Sequence, residues 1–209
     1  MGVLERRERE KLELREQILD AARTLFANEG YDAVTMRKIA DAIEYSPTAI
    51  YLHFQDKEEL IHEICRADFL ALAGEFQKIA QVKEPLERLR QVGRAYIDFG
   101  LKHPNHYRLM FMANRPAACP DEHLHKGNPD QDAYAFLKMI VAACVEEGLF
   151  RSEFNDVELV SQLLWSGVHG LVSLQIAMQH ETWVEWRPLE ELASGVIESQ
   201  LRGLLRERK

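Results

Sequence analysis

Apolar residues recur at helical spacing along most of the chain, and no stretch alternates strictly between apolar and polar positions. Within residues 12–28, for example, Leu14, Ile18, Ala22 and Phe26 recur every four positions and therefore fall on one face of a helix. No Asn-Gly or Asp-Gly pair marks a tight hairpin. The pattern predicts an all-α chain with about nine helices.

Helix caps and glycines divide this pattern into elements. Ser46 followed by Pro47 is typical of a helix start, because the serine hydroxyl accepts from a free backbone amide and proline has no amide to leave unbonded. Gly30 and Gly148 are predicted to end two helices, since glycine adopts positive φ readily. The predicted helices cover residues 12–28, 36–42, 46–54, 57–79, 86–102, 105–113, 134–147, 157–179 and 189–206.

The fourth predicted helix is long enough to leave the small N-terminal group of three helices. We therefore predict two domains, a three-helix unit over residues 1–60 and a larger helical unit over residues 61–209. Residues 114–130 form the one long predicted loop.

The third predicted helix, S-P-T-A-I-Y-L-H-F, has the pattern of a helix-turn-helix recognition helix. Ile50 and Phe54 lie on one face and are expected to pack inward. Tyr51 and His53 remain as polar groups that could reach a phosphate or a base edge. For Tyr51 the alternative is core packing beside Phe54.

Composition restricts the class of protein. The chain is 46% hydrophobic and 29% charged, which is ordinary for a soluble globular protein. It has no apolar run of membrane-spanning length and begins with charged residues, so we expect a cytoplasmic protein without membrane contact. Three cysteines without paired spacing argue against a disulfide framework.

The charge argues against a general nucleic-acid coat protein, because the net charge is −8. Residues 1–62 carry 9 Lys and Arg against 13 Asp and Glu, so DNA binding would depend on locally placed cations. The charged run at residues 5–13 is interpreted as a frayed, solvated helix end. Phosphate contact by some of its arginines is the alternative.

Four segments together resemble the N-terminal DNA-binding domain of the TetR family of bacterial transcriptional regulators: A-R-T-L-F-A-N-E-G-Y, V-T-M-R-K-I-A, S-P-T-A-I-Y-L-H-F and D-K-E-E-L. The string W-S-G-V-H-G, residues 165–170, is similar to the Trp-His-Gly (WHG) signature of one class of C-terminal domain in that family. Glu44 departs from the family, because many relatives have glycine in this turn. A positive φ at Glu44 would store about 1 kcal/mol or more of strain unless the turn has another geometry.

The resemblance implies a DNA-facing surface that carries both phosphate-contacting and base-contacting residues. Thr35, Tyr51 and Lys57 are expected at phosphates, and Arg37, Thr48 and Ala49 at bases. The implied DNA-binding residues are Thr35, Arg37, Ser46, Pro47, Thr48, Ala49, Tyr51, His53 and Lys57.

An acidic protein with one recognition helix is expected to bind DNA as a symmetric dimer, which places two recognition helices on a palindromic operator. The eighth predicted helix is apolar on nearly every side, and the ninth carries a continuous apolar stripe. The two are expected to form the homodimer interface. The predicted interface residues are Leu164, Val168, Leu171, Gln175, Val196 and Leu204.

The resemblance also implies an effector site for a small, mostly apolar molecule of unknown identity, which would release a repressor from its operator. The implied lining residues are Tyr96, Phe99, Met110, Phe111, Tyr134, Leu137, Trp165 and His169. The same residue types also make an ordinary core. The alternative function is therefore a dimeric DNA-binding protein without a ligand.

No cofactor or metal is predicted. Cys119, His123 and His125 could hold zinc, but the spacing C-x3-H-x-H matches no standard structural site. The chain has no Gly-rich phosphate loop, no G-x-S-x-G and no H-E-x-x-H. A helical enzyme that uses His169 is the remaining alternative, without an identifiable nucleophile, and we predict no enzyme activity.

Overall fold

The computed structural model describes residues 2–112 and 125–206, apart from the side chains of residues 3 and 4. Within these residues it has nine α-helices and no β-strand, so the all-α prediction is confirmed. The helices are α1 (Val3–Glu29), α2 (Met36–Ala42), α3 (Pro47–Tyr51), α4 (Lys57–Gln77), α5 (Pro85–Lys102), α6 (Pro104–Tyr107), α7 (Ala133–Glu146), α8 (Val157–Met178) and α9 (Leu189–Leu204).

The predicted start of the first helix at residue 12 is wrong, because α1 begins nine residues earlier. Its first turns are exposed, and they are held by side-chain pairs one turn apart. Arg6 Nε lies 2.7 Å from Glu10 Oε1, and Arg9 Nε lies 3.5 Å from Glu13 Oε1. Such pairs at i, i+4 stabilise a helix in solvent, so this segment is solvated but helical.

Two further predicted helices differ in length or type. The recognition helix α3 ends at Tyr51 rather than at residue 54. The predicted sixth helix is a short α-helix, α6, followed by a π-helical turn (Arg108–Met112). Tyr107 at the end of α6 is buried, as are Leu109 and Met110 in the π turn.

The described chain forms two compact units, and the division between them falls within α4, after Asp68. The first unit contains residues 2–68 and 105–112, and the second contains residues 69–104 and 125–206. The predicted boundary after residue 60 also lies in α4. The assignment of DNA binding to residues 1–60, and of ligand binding and dimerisation to residues 61–209, remains a prediction.

The core of the first unit joins α1, α2, α3, the start of α4 and the π turn. The predicted stripe on α1 is confirmed at three positions, because Ile18, Ala22 and Phe26 are buried. Other buried side chains of this core are Ile39, Ile50, Phe54, Leu60, Ile64, Tyr107 and Leu109. The inward packing predicted for Ile50 and Phe54 is therefore confirmed.

In the second unit, α8 packs against α5, α7 and α9. By length and composition alone α8 could cross a membrane, a test that core helices of soluble proteins also pass. Its buried residues include Val160, Val168 and Val172, which pack within the unit. At Gly167 the side chain of Gln200 takes the space of a Cβ, and Gln200 Nε2 donates to the Leu163 carbonyl at 2.6 Å.

Candidate functional site

Two side-chain caps fix the helices of the helix-turn-helix. The Ser46 hydroxyl accepts from the Ala49 amide at 3.3 Å, and Pro47 is the first residue of α3. At the start of α2 the Thr35 hydroxyl accepts from the Lys38 amide at 3.2 Å. The helix start predicted at Ser46 and Pro47 is thus confirmed, and both caps lie on the solvent side.

The turn between α2 and α3 is a Schellman motif. The Tyr45 amide donates to the Ala40 carbonyl at 3.0 Å, and the Glu44 amide donates to the Asp41 carbonyl at 3.3 Å. Glu44 therefore has a φ of 60°. The end of α7 is built in the same way with Gly148, whose φ is 66°. The strain predicted at Glu44 is present, because a side chain replaces the hydrogen of glycine there.

The predicted DNA-facing residues on α2 and α3 lie mostly in solvent. Thr35, Arg37, Ser46 and Thr48 are exposed, and Pro47, Ala49 and His53 are half-buried. Tyr51 is 54% exposed, so the alternative that it packs in the core is wrong.

The sequence prediction missed two exposed apolar groups beside this surface. Leu52 is 77% exposed and Tyr45 is 46% exposed. The sequence spacing already indicated that Leu52 is exposed, because Ile50 and Phe54 are the residues that pack inward and Leu52 lies on another side of the chain. A leucine there suits contact with a thymine methyl or a deoxyribose.

Burial lowers the pKa of His53 below its ordinary value, and the nearby charges of Lys11 and Arg15 lower it further. His53 is therefore neutral near pH 7 in the free protein, where its ring can donate one hydrogen bond and accept another.

Lys57 is held by the protein itself. Its Nζ donates to the carbonyls of Tyr31, at 2.8 Å, and Val34, at 3.0 Å. The same atom lies 4.0 Å from the centroid of the Tyr31 ring. The predicted phosphate contact of Lys57 remains a prediction, and this geometry leaves it at most one N–H.

Three of the predicted effector residues come together in the second unit. Trp165 Nε1 donates to the Tyr96 hydroxyl at 2.9 Å, and that hydroxyl lies 3.1 Å from His169 Nδ1. His169 Nε2 lies 3.3 Å from the Ser173 hydroxyl. Burial lowers the pKa of His169. The polar groups expected to orient a ligand therefore satisfy one another across α5 and α8.

The other predicted effector residues are distributed more widely. The Tyr134 ring lies 5.7 Å from that of Trp165, and its hydroxyl donates to Glu158 at 2.6 Å. Burial and the Glu158 carboxylate raise the pKa of Tyr134 to about 12. Phe99 is buried on α5 and Leu137 is half-buried on α7. Met110 and Phe111 belong to the π turn of the first unit.

The described part of the second unit has a surface depression of about 470 Å³ between one side of α7 and the start of α8. None of the eight predicted effector residues lines it. Its lining residues are Gly127, Pro129, Ala135, Lys138, Met139, Ala142, Asp156, Val157 and Glu158.

The predicted interface residues do not form one exposed face. Val168, Leu171 and Leu204 are buried within the chain, and Leu164, Gln175 and Val196 are half-buried. The solvent-facing side of α8 instead carries the exposed leucines Leu159, Leu163 and Leu174, with Leu189 exposed at the start of α9. The three leucines of α8 are absent from the predicted interface because a helix that is apolar on nearly every side does not indicate which face a partner covers.

Among the described residues, no three of His, Cys, Asp and Glu lie close enough to hold a metal ion. Cys119 and His123 lie outside the described residues, and His125 is exposed in a turn with a φ of 50°.

Two family models match the chain. Residues 18–64 match the model of bacterial regulatory proteins of the tetR family. Residues 89–198 match the model of the tetracyclin repressor-like C-terminal domain. The first covers the helix-turn-helix, and the second covers most of α5, all of α6, α7 and α8, and most of α9.

Individual proteins give the same picture. The chain is 40% identical over 77 residues to the HTH-type transcriptional repressor KstR2 of Mycolicibacterium smegmatis, across 36% of this chain and 37% of that protein. This match thus spans little more than a third of the relative. The chain is 28% identical over 153 residues to KstR2 of Mycobacterium tuberculosis, across 72% and 75%. The crystal structure of the TetR family transcriptional regulator PfmR from Thermus thermophilus superposes with a TM-score of 0.72 and 27% identity, across 92% of this chain and 98% of that one.

Proposed function

The chain belongs to the TetR family of bacterial regulatory proteins, and from that premise we propose a homodimeric, cytoplasmic repressor that binds a palindromic operator and is released by a small, mostly apolar effector. DNA-binding transcriptional regulation follows from the family, whose members are not enzymes. Repression is proposed because the similar KstR2 proteins are named transcriptional repressors.

The exposed surface of α2 and α3 is the observation that carries DNA binding. Ile50 and Phe54 anchor α3 in the core, while Thr48 and Tyr51 are exposed on the same short helix. Arg37 adds an exposed cation on α2. We assign base contacts to Arg37, Thr48 and Ala49, and phosphate contacts to Thr35 and Tyr51, with Ser46, Pro47 and His53 at the edge of the surface.

The homodimer is proposed from the exposed leucines of α8. Leu159, Leu163 and Leu174 lie within about 60° of one another around the helix axis, at 100° per residue. A row of exposed leucines of this kind marks a protein–protein interface. One recognition helix in an acidic chain also gains specificity from a second copy one DNA turn away.

The effector site is proposed at the Tyr96, Trp165 and His169 cluster, because its polar side chains join α5 and α8 through hydrogen bonds. We further propose that Trp165, His169 and Gly170 assign the C-terminal domain to the WHG class. A ligand that displaces one of these hydrogen bonds would favour a second conformation of the unit, and would thereby alter operator affinity.

Selection from a random duplex DNA library tests the proposed DNA target. We expect enrichment of one palindrome whose half-sites lie about one helical turn, roughly 34 Å, apart.

Light scattering tests the dimer, with Leu163→Glu expected to give monomers that lose operator binding. Met139→Glu is the matched control, because Met139 is 40% exposed on α7, outside both the proposed interface and the proposed DNA-binding residues. A wild-type monomer at micromolar concentration contradicts the proposal.

A ligand-independent DNA-binding dimer is the second candidate, and a specific observation favours it. Tyr96, Trp165 and His169 already satisfy one another, as buried polar groups do in an ordinary core. Trp165→Ala separates the two functions. If an effector binds there, the variant loses the response of operator binding to that effector; if the cluster is only core, only its stability falls.

A further inference from the structure

Lys57 links the first turn of α4 to the connection between α1 and α2. It is the first residue of α4, and its two backbone acceptors, Tyr31 and Val34, belong to residues 30–35. The Tyr31 ring supplies its face to the ammonium group at 4.0 Å and packs 5.5 Å from the Phe26 ring. One cation therefore joins the start of α4 to the connection between α1 and α2.

The carbonyls that Lys57 binds lie directly before the DNA-facing part of α2. Val34 is fully buried, and the next residue, Thr35, is the N-cap of α2. Arg37 follows in the first turn of that helix. The position of the Val34 carbonyl therefore sets where Thr35 and Arg37 are presented.

The location of Lys57 in its own helix supports a role within the protein. A lysine in the first turn meets the positive end of the helix dipole, which is unfavourable. Its ammonium is instead directed to two carbonyls and an aromatic face, all of which favour a cation. Because its ammonium group is held by these internal partners, Lys57 is poorly suited to reach out to a DNA phosphate.

We propose that Lys57 is a positioning residue for the DNA-binding surface: it pins the start of α2 to the start of α4 and acts on DNA through Thr35 and Arg37. This differs from the phosphate contact that the sequence predicts. The inference rests on DNA binding by the helix-turn-helix, so an operator for the wild-type protein is identified first.

The salt dependence of operator binding distinguishes the two roles. Operator affinity falls with salt, and each phosphate contact adds about 0.9 to the magnitude of the slope of log K against log salt. Removing one phosphate contact therefore reduces that magnitude by about 0.9. For Lys57→Met, we expect roughly a tenfold or greater loss of operator affinity with an unchanged slope, because the two charge-assisted hydrogen bonds are internal. Lys57→Arg keeps the charge, but its planar fork does not fit the two converging carbonyls, and we expect it to remain impaired.

Amide hydrogen exchange gives an independent readout on the folded variants. Exchange at the Lys38 amide, which bonds to Thr35, is expected to rise in Lys57→Met, while exchange in the α1 core around Ile18 stays unchanged. Lys78→Met is the matched control, since Lys78 is an exposed lysine of the second unit paired with Glu75. It should alter neither affinity nor slope.

Three results would overturn the proposal. One is a reduced salt slope in Lys57→Met together with full affinity in Lys57→Arg, which identifies a phosphate contact. Another is wild-type affinity in Lys57→Met. The third is unchanged exchange at residues 31–38 in that variant.

Discussion

Asp68 of α4 accepts a forked pair of hydrogen bonds from Arg23 of α1. Asp68 Oδ1 lies 2.9 Å from Arg23 Nη2 and 3.1 Å from Arg23 Nε. The side chains are only 1% and 8% exposed. His106 of α6 brings its Nδ1 to 2.9 Å from the same carboxylate oxygen. A single buried carboxylate thus bonds α1 to α4 and lies close to α6.

Asp68→Ala is expected to lower the free energy of unfolding by about 3 kcal/mol, because it leaves the Arg23 guanidinium buried without its main partner. Urea denaturation followed by far-ultraviolet circular dichroism measures the loss. Asp20→Ala is the matched control, since the Asp20 carboxylate is 73% exposed and pairs with the same arginine. We expect that variant to lose less than about 0.5 kcal/mol.

The double variant Arg23→Met, Asp68→Leu tests whether the charge pair itself stabilises the fold. Replacing both buried charges with apolar groups is often nearly neutral, so we expect the double variant to be more stable than Asp68→Ala. A double variant less stable than Asp68→Ala would show that the ion pair contributes more than its removal from water costs.

The Arg23 pair also shows what the sequence could and could not predict. Periodicity identified the helices, and local rules identified the Ser46 cap and the glycine ends of α1 and α7, because each depends on residues close in sequence. Arg23 and Asp68 are 45 positions apart, and Lys57 binds carbonyls 23 and 26 positions away. No local pattern specifies such partners, since only the tertiary fold brings them together.

The sequence predicted the members of the candidate effector cluster but not the hydrogen bonds that they form with one another. The resemblance selected Tyr96, Trp165 and His169, and the structure brings them within hydrogen-bonding distance. That they bond to one another depends on side-chain directions across α5 and α8. Those directions follow from the packing of the two helices, which the sequence pattern does not determine.

Stability of the second unit is expected to fall as the pH is lowered below about 6.5, the ordinary histidine pKa. Burial lowers the pKa of His169 in the folded chain, so the unfolded chain takes up a proton that the folded chain resists. Above about pH 6.5 both states are neutral and this contribution disappears. The loss continues until the pH reaches the lowered pKa of the folded state.

Urea unfolding at neutral pH and at about pH 5.5 checks this pH dependence. All three tryptophans, Trp165, Trp183 and Trp186, belong to the second unit, so their fluorescence reports its unfolding. His169→Gln is expected to show a smaller loss on acidification than the wild-type chain. His53→Gln, in the first unit, should retain the wild-type loss in this signal. An equal loss in His169→Gln and the wild type would contradict the prediction.

Glu44→Gly is expected to stabilise the first unit by about 0.5 kcal/mol. It releases about 1–2 kcal/mol of strain at a φ of 60° but adds about 0.5–1 kcal/mol of backbone freedom to the unfolded chain. Thermal unfolding measures the net gain. Glu44→Ala keeps the Cβ and removes the charge, so it should not produce this gain, and an equal gain there would assign the effect to charge.

Tyr51→Phe is expected to reduce operator affinity about tenfold, because it removes one hydrogen bond to a charged phosphate oxygen. Tyr51 is 54% exposed, so the free energy of unfolding should change by less than about 0.5 kcal/mol. The salt slope should stay constant as well, since a neutral hydroxyl releases no counterion. Tyr45→Phe is the matched control, because Tyr45 is 46% exposed in the preceding turn and is not assigned to DNA. Equal losses in the two variants, or none in Tyr51→Phe, would remove Tyr51 from the phosphate contacts.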